Sequence, residues 1–274
     1  TWDGTAKETN YTVSKSLGTL IVTPQSIVPD PDPENPNPDY KGVEVSTPAD
    51  VPYNGQDQTW EPTVKDAEDK ALVKDTDYTV SYDKDDRTNV TGTITVTITG
   101  IGNYTGTVTR TYQITPKPVT IATNSDEKVF DNTALTADGS VDGIVEGETY
   151  SFTVTGSQKW VGSSTNTYEM VWATEDNHYT AKQSNYTVSE NVGTLTVTDG
   201  TEETPVDPFL VVNKTHDENQ TYKAGDVITF TITVKNIYDE VKTITLAEQE
   251  GVTLDKAVFE NVQPGAEITA TATY

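Results

Sequence analysis

The chain has 274 residues, 43 of them acidic and 18 basic, for a formal charge of -25 with its two histidines neutral. That balance repels phosphate backbones and anionic lipid surfaces, which excludes nucleic acid and the membrane as expected partners, and no run approaches the roughly 18 apolar residues of a spanning helix. The absence of cysteine removes disulfides, thiolate nucleophiles and cysteine-held metals.

Threonine fills 50 positions, a β-branched excess that predicts an all-β fold. The first 23 residues contain half of an internal repeat. Ala6–Ser14 and Gly18–Thr23 return as Ala181–Ser189 and Gly193–Thr198, with 12 of 18 aligned positions identical. In the second copy this stretch closes a module, so 1–23 is expected to be the C-terminal fragment of a preceding module in a longer tandem array. Residues 24–39 hold six prolines between Pro24 and Pro38, alternating with acids. They read as an extended polyproline II spacer of roughly 3.1 Å per residue.

Residues 40–116 form the next expected module. Period-two alternation marks strands at Asp77–Tyr82 and Gly92–Ile98, and the charged Asp83–Asn89 stretch between them reads as a hairpin connection. The glycine-rich Gly100–Gly106 turn leads into a closing strand at Thr107–Ile114. Pro116-Lys117-Pro118 reads as a short stiff joint into a module over 117–198, with strands at Val119–Ile121 and Tyr150–Thr155. A second acidic spacer covers 199–208, and 209–274 reads as a last β module, its strongest strand at Val227–Val234 and its final strand expected to be cut short. Each module is expected to enclose its own interior.

The opening Lys117–Ile121 with Lys128–Thr133, the middle Val154–Gln158 and the closing Asn185–Ser189 with Gly193–Thr198 together resemble the MBG-type repeats of bacterial surface adhesins. The 40–116 unit, with Tyr53-Asn54-Gly55, Gly102–Gly106 and Tyr112–Pro116, looks like a companion repeat of Gram-positive cell-surface proteins. The 209–274 unit, with Val212–Thr215, Lys223–Asn236 and Pro264-Gly265, is similar to the Ig-like repeat domains found in tandem in envelope proteins. These resemblances imply an exported protein of the extracellular cell surface or cell wall. They imply a tandem array of small Ig-like or β-grasp-like β-sandwich modules and a monomeric, non-enzymatic stalk or adhesin segment that spaces or presents a binding region. Such patterns specify architecture more than activity.

The candidate sites follow from residue chemistry. Asp83, Asp85 and Asp86 are the densest acid cluster outside the spacers and are candidate calcium ligands, although Arg87 stands where a further ligand or glycine is wanted. Trp60 and Trp160 are candidate stacking platforms for a glycan, against the alternative that they fill the small cores. Lys214 lies where the resembling surface domains of the collagen-adhesin B type carry the lysine of a Lys–Asn isopeptide crosslink, activated by a buried acid. His178 and His216 are isolated in sequence and form no metal or triad motif. No catalytic residue and no cofactor are expected. The partner would be a host or cell-surface glycan or protein. Two other readings are direct glycan or mucin binding by one module, and an accessory region of a large secreted glycosidase.

Overall fold

The computed structural model describes Thr9, residues 18–30, 32, 34, 43–200 and 211–274. The fold is all-β. Two compact units are present: unit 1 takes the described residues up to Pro52 together with Gln56–Thr115, and unit 2 takes Tyr53–Gly55 and Pro116–Tyr274.

In unit 1 the strands are β1 (Gln25–Ser26), β2 (Glu44–Val45), β3 (Val51–Pro52), β4 (Val64–Lys65), β5 (Tyr78–Tyr82), β6 (Thr93–Gly100), β7 (Tyr104–Thr105) and β8 (Thr107–Thr115). The main sheet has the order β3-β8-β6-β5. Its period-two pattern works as the sequence implies: Ile94, Val96 and Ile98 on β6 are fully buried, and Val108, Tyr112 and Ile114 on β8 join them. β5 and β6 pair antiparallel across the charged connection, and β3 runs parallel to β8. Gly100 is required at the following turn, because a Cβ there would meet the Thr105 backbone at 2.7 Å.

Two observations in unit 1 differ from the sequence reading. Gln25–Ser26, within the expected spacer, pair in parallel with β7, and Ile27 is fully buried. An apolar Ile-Val pair ahead of the first Pro-Asp step is enough to hold this end of the spacer against the fold. Spacer residues 31, 33 and 35–39 lie outside the described residues, as do 201–208 of the second spacer. The segment Gln58–Pro62 is strapped down by side chains: Tyr112, Tyr82 and Tyr78 hydroxyls donate to the alternate carbonyls of Gln58 (2.9 Å), Trp60 (2.8 Å) and Pro62 (3.1 Å).

Unit 2 contains β9 (Lys117–Thr123), β10 (Asp126–Val129), β11 (Gly139–Asp142), β12 (Ser151–Val154), β13 (Gly162–Thr165), β14 (Tyr168–Val171), β15 (Tyr186–Asn191) and β16 (Thr194–Thr198). After these come β17 (Val211–Thr215), β18 (Thr229–Lys235), β19 (Lys242–Thr245), β20 (Thr253–Leu254), β21 (Val258–Val262) and β22 (Glu267–Thr273). Lys117 and Pro118, expected in the joint, are the first residues of β9. The sheets are β11-β9-β15, β10-β16-β13, β12-β14, β17-β18-β22-β20 and β19-β21.

The opening and closing segments of the 117–198 region run side by side in the same direction. β9 pairs in parallel with β15 (Lys117 with Tyr186), and β10 pairs in parallel with β16 (Asp126 with Leu195). Partners are 69 residues apart in both pairs, so the two segments pass together from one sheet to the next without changing register. At the crossover, Thr123 Oγ1 accepts the Gly193 amide at 2.9 Å and Ser125 Oγ accepts the Thr194 amide at 2.9 Å. A Cβ on Gly193 would lie 2.3 Å from the Asn124 carbonyl carbon, so only glycine fits.

The 117–198 region and the described residues 211–274 share a buried cluster. Ile237 joins Leu135, Val161, Leu195 and Val197 in one buried cluster, with Phe130, Ala137 and Tyr238 packed against it. The backbone continues the contact: the Val161 amide donates to Ile237 O at 2.8 Å and the Asp239 amide to Val161 O at 2.9 Å. Apolar Ile237 and Tyr238, placed just after β18, give this connection a face to bury. The 211–274 region also keeps a cluster of its own around Ile232, Val234, Ile244, Val262 and Ala272.

Candidate functional site

The acid cluster is used locally. Asp83 Oδ1 accepts the Thr95 amide at 2.7 Å, and Asp86 Oδ1 accepts the amides of Thr88 and Asn89, both at 3.0 Å. Arg87 sits among them, donating to Lys84 O and Thr59 Oγ1 and lying 4.6 Å from the Tyr82 ring centroid. Calcium requires six or more converging oxygens. Asp83 and Asp86 instead stabilise the β5–β6 connection. Among the described residues no group of three or more His, Cys, Asp or Glu side chains is arranged to hold a metal ion.

Trp60 is half-buried within the tyrosine-held strap. Trp160 is committed to packing. It stacks on Phe130 with ring centroids 5.9 Å apart, carries the Lys159 and Lys235 ammoniums over its ring, and lies so close to Gly265 that a Cβ there would come within 2.4 Å. A ring covered in this way serves packing, the alternative that the sequence reading kept beside the sugar platform.

Lys214 pairs with Glu248 at 2.6 Å, and its ammonium lies 4.7 Å from the Phe230 ring centroid. The acid that an isopeptide crosslink needs is therefore adjacent. The strands beside Lys214 bring Ile232 and then Ala270 into register, not an asparagine. The histidines are apart: His178 packs on Tyr179, and His216 lies near Phe230.

A concavity that no sequence motif marked lies on the loop between β14 and β15. It encloses about 610 Å³ and is lined by Glu175, Tyr179, Lys182, Gln183 and Ser184, among others. Asn177 shapes the loop, its Oδ1 accepting the Thr174 and Tyr179 amides, both at 3.1 Å, while its Nδ2 donates to Trp172 O at 2.9 Å. Backbone bonds from Ala173 to Ala181 and from Thr180 and Ala181 to Thr149 close its base. Next in the chain to its lining residue Ala173, Trp172 packs on Tyr186 with centroids 5.7 Å apart. The Tyr186 hydroxyl donates to Glu148, as does that of Tyr53, and burial followed by that bond pushes the Tyr186 phenol well above its ordinary value. The wall thus combines Tyr179, with His178 packed against its ring, with a carboxylate, an ammonium, an amide and hydroxyls on a braced loop. The one sequence signal for it was the turn-forming Glu-Asp-Asn-His run ahead of Tyr179.

Compared with known proteins, the chain matches no family model and no curated protein. Among the described residues no helix is long and apolar enough to cross a membrane.

Proposed function

We propose that this chain is a non-enzymatic, load-bearing stalk or adhesin segment of a bacterial cell-surface protein, built from tandem Ig-like or β-grasp-like modules. The observation that carries the reading is the parallel pairing of opening and closing segments, β9 with β15 and β10 with β16 in one register. Tension on a module enters at the start of its first strand and leaves at the end of its last. When those strands are parallel neighbours, the pull shears all their hydrogen bonds at once, whereas an antiparallel pair joined at one end would unzip them singly. Forced unfolding is governed by the height of that barrier. In unit 1, β3, which follows β1 and β2, lies parallel to the closing strand β8 over two residue pairs. Single-molecule pulling from the two termini tests the proposal. The expected record shows discrete, force-resistant steps, the largest from unit 2, and smooth extension without such steps would refute it.

A second reading, direct glycan binding, is favoured by the β14–β15 concavity. Its mixture of donors and acceptors around Tyr179 suits a neutral sugar, because hydroxyls accept and donate alike while the acidic chain repels anions. A glycan array should then give hits that Tyr179→Ala loses and Trp160→Phe keeps. An array without hits counts against this reading and leaves the mechanical one standing.

A further inference from the structure

Leu20, Ile21 and Val22 are 88%, 77% and 80% exposed, an unusual condition for three consecutive large apolar residues. The internal repeat says what they match. Gly18–Thr23 aligns with Gly193–Thr198, where Leu195 and Val197 are 0% and 1% exposed on β16, between β10 on one side and β13 on the other. Leu20 and Val22 thus carry the same side chains that β16 uses to build a core, but hold them in solvent. The glycines differ in the same way. Gly193 is forced by the Asn124 backbone at the strand crossover, while a Cβ on Gly18 would meet nothing within 4 Å. A residue type that the second copy needs for close approach is kept in the first copy, where nothing approaches.

We infer that Gly18–Thr23 is an interaction strand. Its occupant is the opening part of a module of the 117–198 kind, with strands equivalent to β10 and β13 flanking it and a segment equivalent to Asn124-Ser125 packed on Gly18. Leu20 and Val22 enter that partner's core as Leu195 and Val197 enter theirs. An unpaired strand of this composition is otherwise an aggregation hazard. The inference is independent of the mechanical reading, since it concerns which surface the segment fits and not the force it bears.

Two experiments decide it. First, residues 181–198 of the full chain are replaced by the sequence of 6–23, which amounts to Q183E, S184T, E190K, N191S, V192L and T196I. If 6–23 is a closing segment, unit 2 keeps its unfolding midpoint apart from the small losses measured for E190K and T196I alone, which remove the Glu190 acceptor of the Tyr168 hydroxyl at 2.5 Å and the Thr196–Ser163 hydroxyl bond at 3.1 Å. Loss of amide protection at Leu195 and Val197 in this chimera overturns the inference. Second, a copy of residues 117–180 is placed directly ahead of Ala6 of the full chain. Amide exchange at Leu20–Thr23, fast in the parent, should slow to the rate of Leu195–Thr198 in the same molecule, and L20D/V22D should restore fast exchange. Continued fast exchange overturns the inference, as does a parent chain that protects Leu20–Val22 by pairing with a second copy in sedimentation.

Discussion

Three tyrosine hydroxyls hold the Gln58–Pro62 strap through its carbonyls, and each phenol must stay protonated to donate. Burial, with Glu61 adding to it, raises the Tyr82 phenol from 10.0 to about 12. A phenol raised by folding stabilises the native state fully below its unfolded value and loses that contribution as pH rises through the folded one. Unit 1 is therefore expected to weaken between pH 10.0 and about 12. Urea midpoints followed across that window, with phenolate absorbance recorded in parallel, measure the effect. Tyr82→Phe should cost about 1 kcal/mol at neutral pH, typical of one lost hydrogen bond, and should flatten the alkaline slope. A slope unchanged in the variant would show that other groups carry it. The sequence displayed these tyrosines on alternating strands, yet nothing in it told which carbonyl each hydroxyl reaches, because the strap has no periodicity of its own.

At the level of elements, Trp160 adds to the Ile237 cluster as a contact between the 117–198 and 211–274 regions, with Gly265 and Gly162 leaving room for it and for Asp239. Truncating a half-buried tryptophan to alanine is expected to cost about 3 kcal/mol, the low end for large aromatic side chains. In hydrogen exchange of Trp160→Ala, peptides from 211–274 should open independently of β9 and β16, while in the parent they open together. Equal exchange in both proteins would mean that the backbone bridge between Val161 and Ile237 suffices alone. Several strands were legible: the readings at Asp77–Tyr82, Gly92–Ile98, Thr107–Ile114 and Tyr150–Thr155 mark β5, β6, β8 and β12, since period two follows directly from burial on one face. Partner choice was not. Alternation at Val119–Ile121 looks the same whether β9 pairs with a hairpin neighbour or with a strand 69 residues away. The role of Trp160 was open in the sequence for a related reason, since an aromatic residue that fills an interface and one that receives a ligand have the same sequence signature.

Across the whole molecule, the absence of cysteine leaves the proposed resistance to tension without disulfides, resting on hydrogen bonds, ion pairs and apolar contacts. The parallel pairs make that sufficient in principle, because shear recruits many modest bonds together. Within the pulling experiment, a control sharpens the result: handles attached at Asp176 and at the C-terminus bypass β9, so the step assigned to β9 and β15 should occur at lower force than with terminal handles.

The constant 69-residue register also separates two kinds of evolutionary freedom. Everything from Phe130 to Asn185 hangs between two fixed rails, so its loops can lengthen, shorten or change chemistry without disturbing the pairing of β9 with β15 and of β10 with β16. In the load-bearing reading proposed above, the Glu175–Ser184 surface can change its chemistry while Thr123, Ser125 and Gly193 go on holding the crossover.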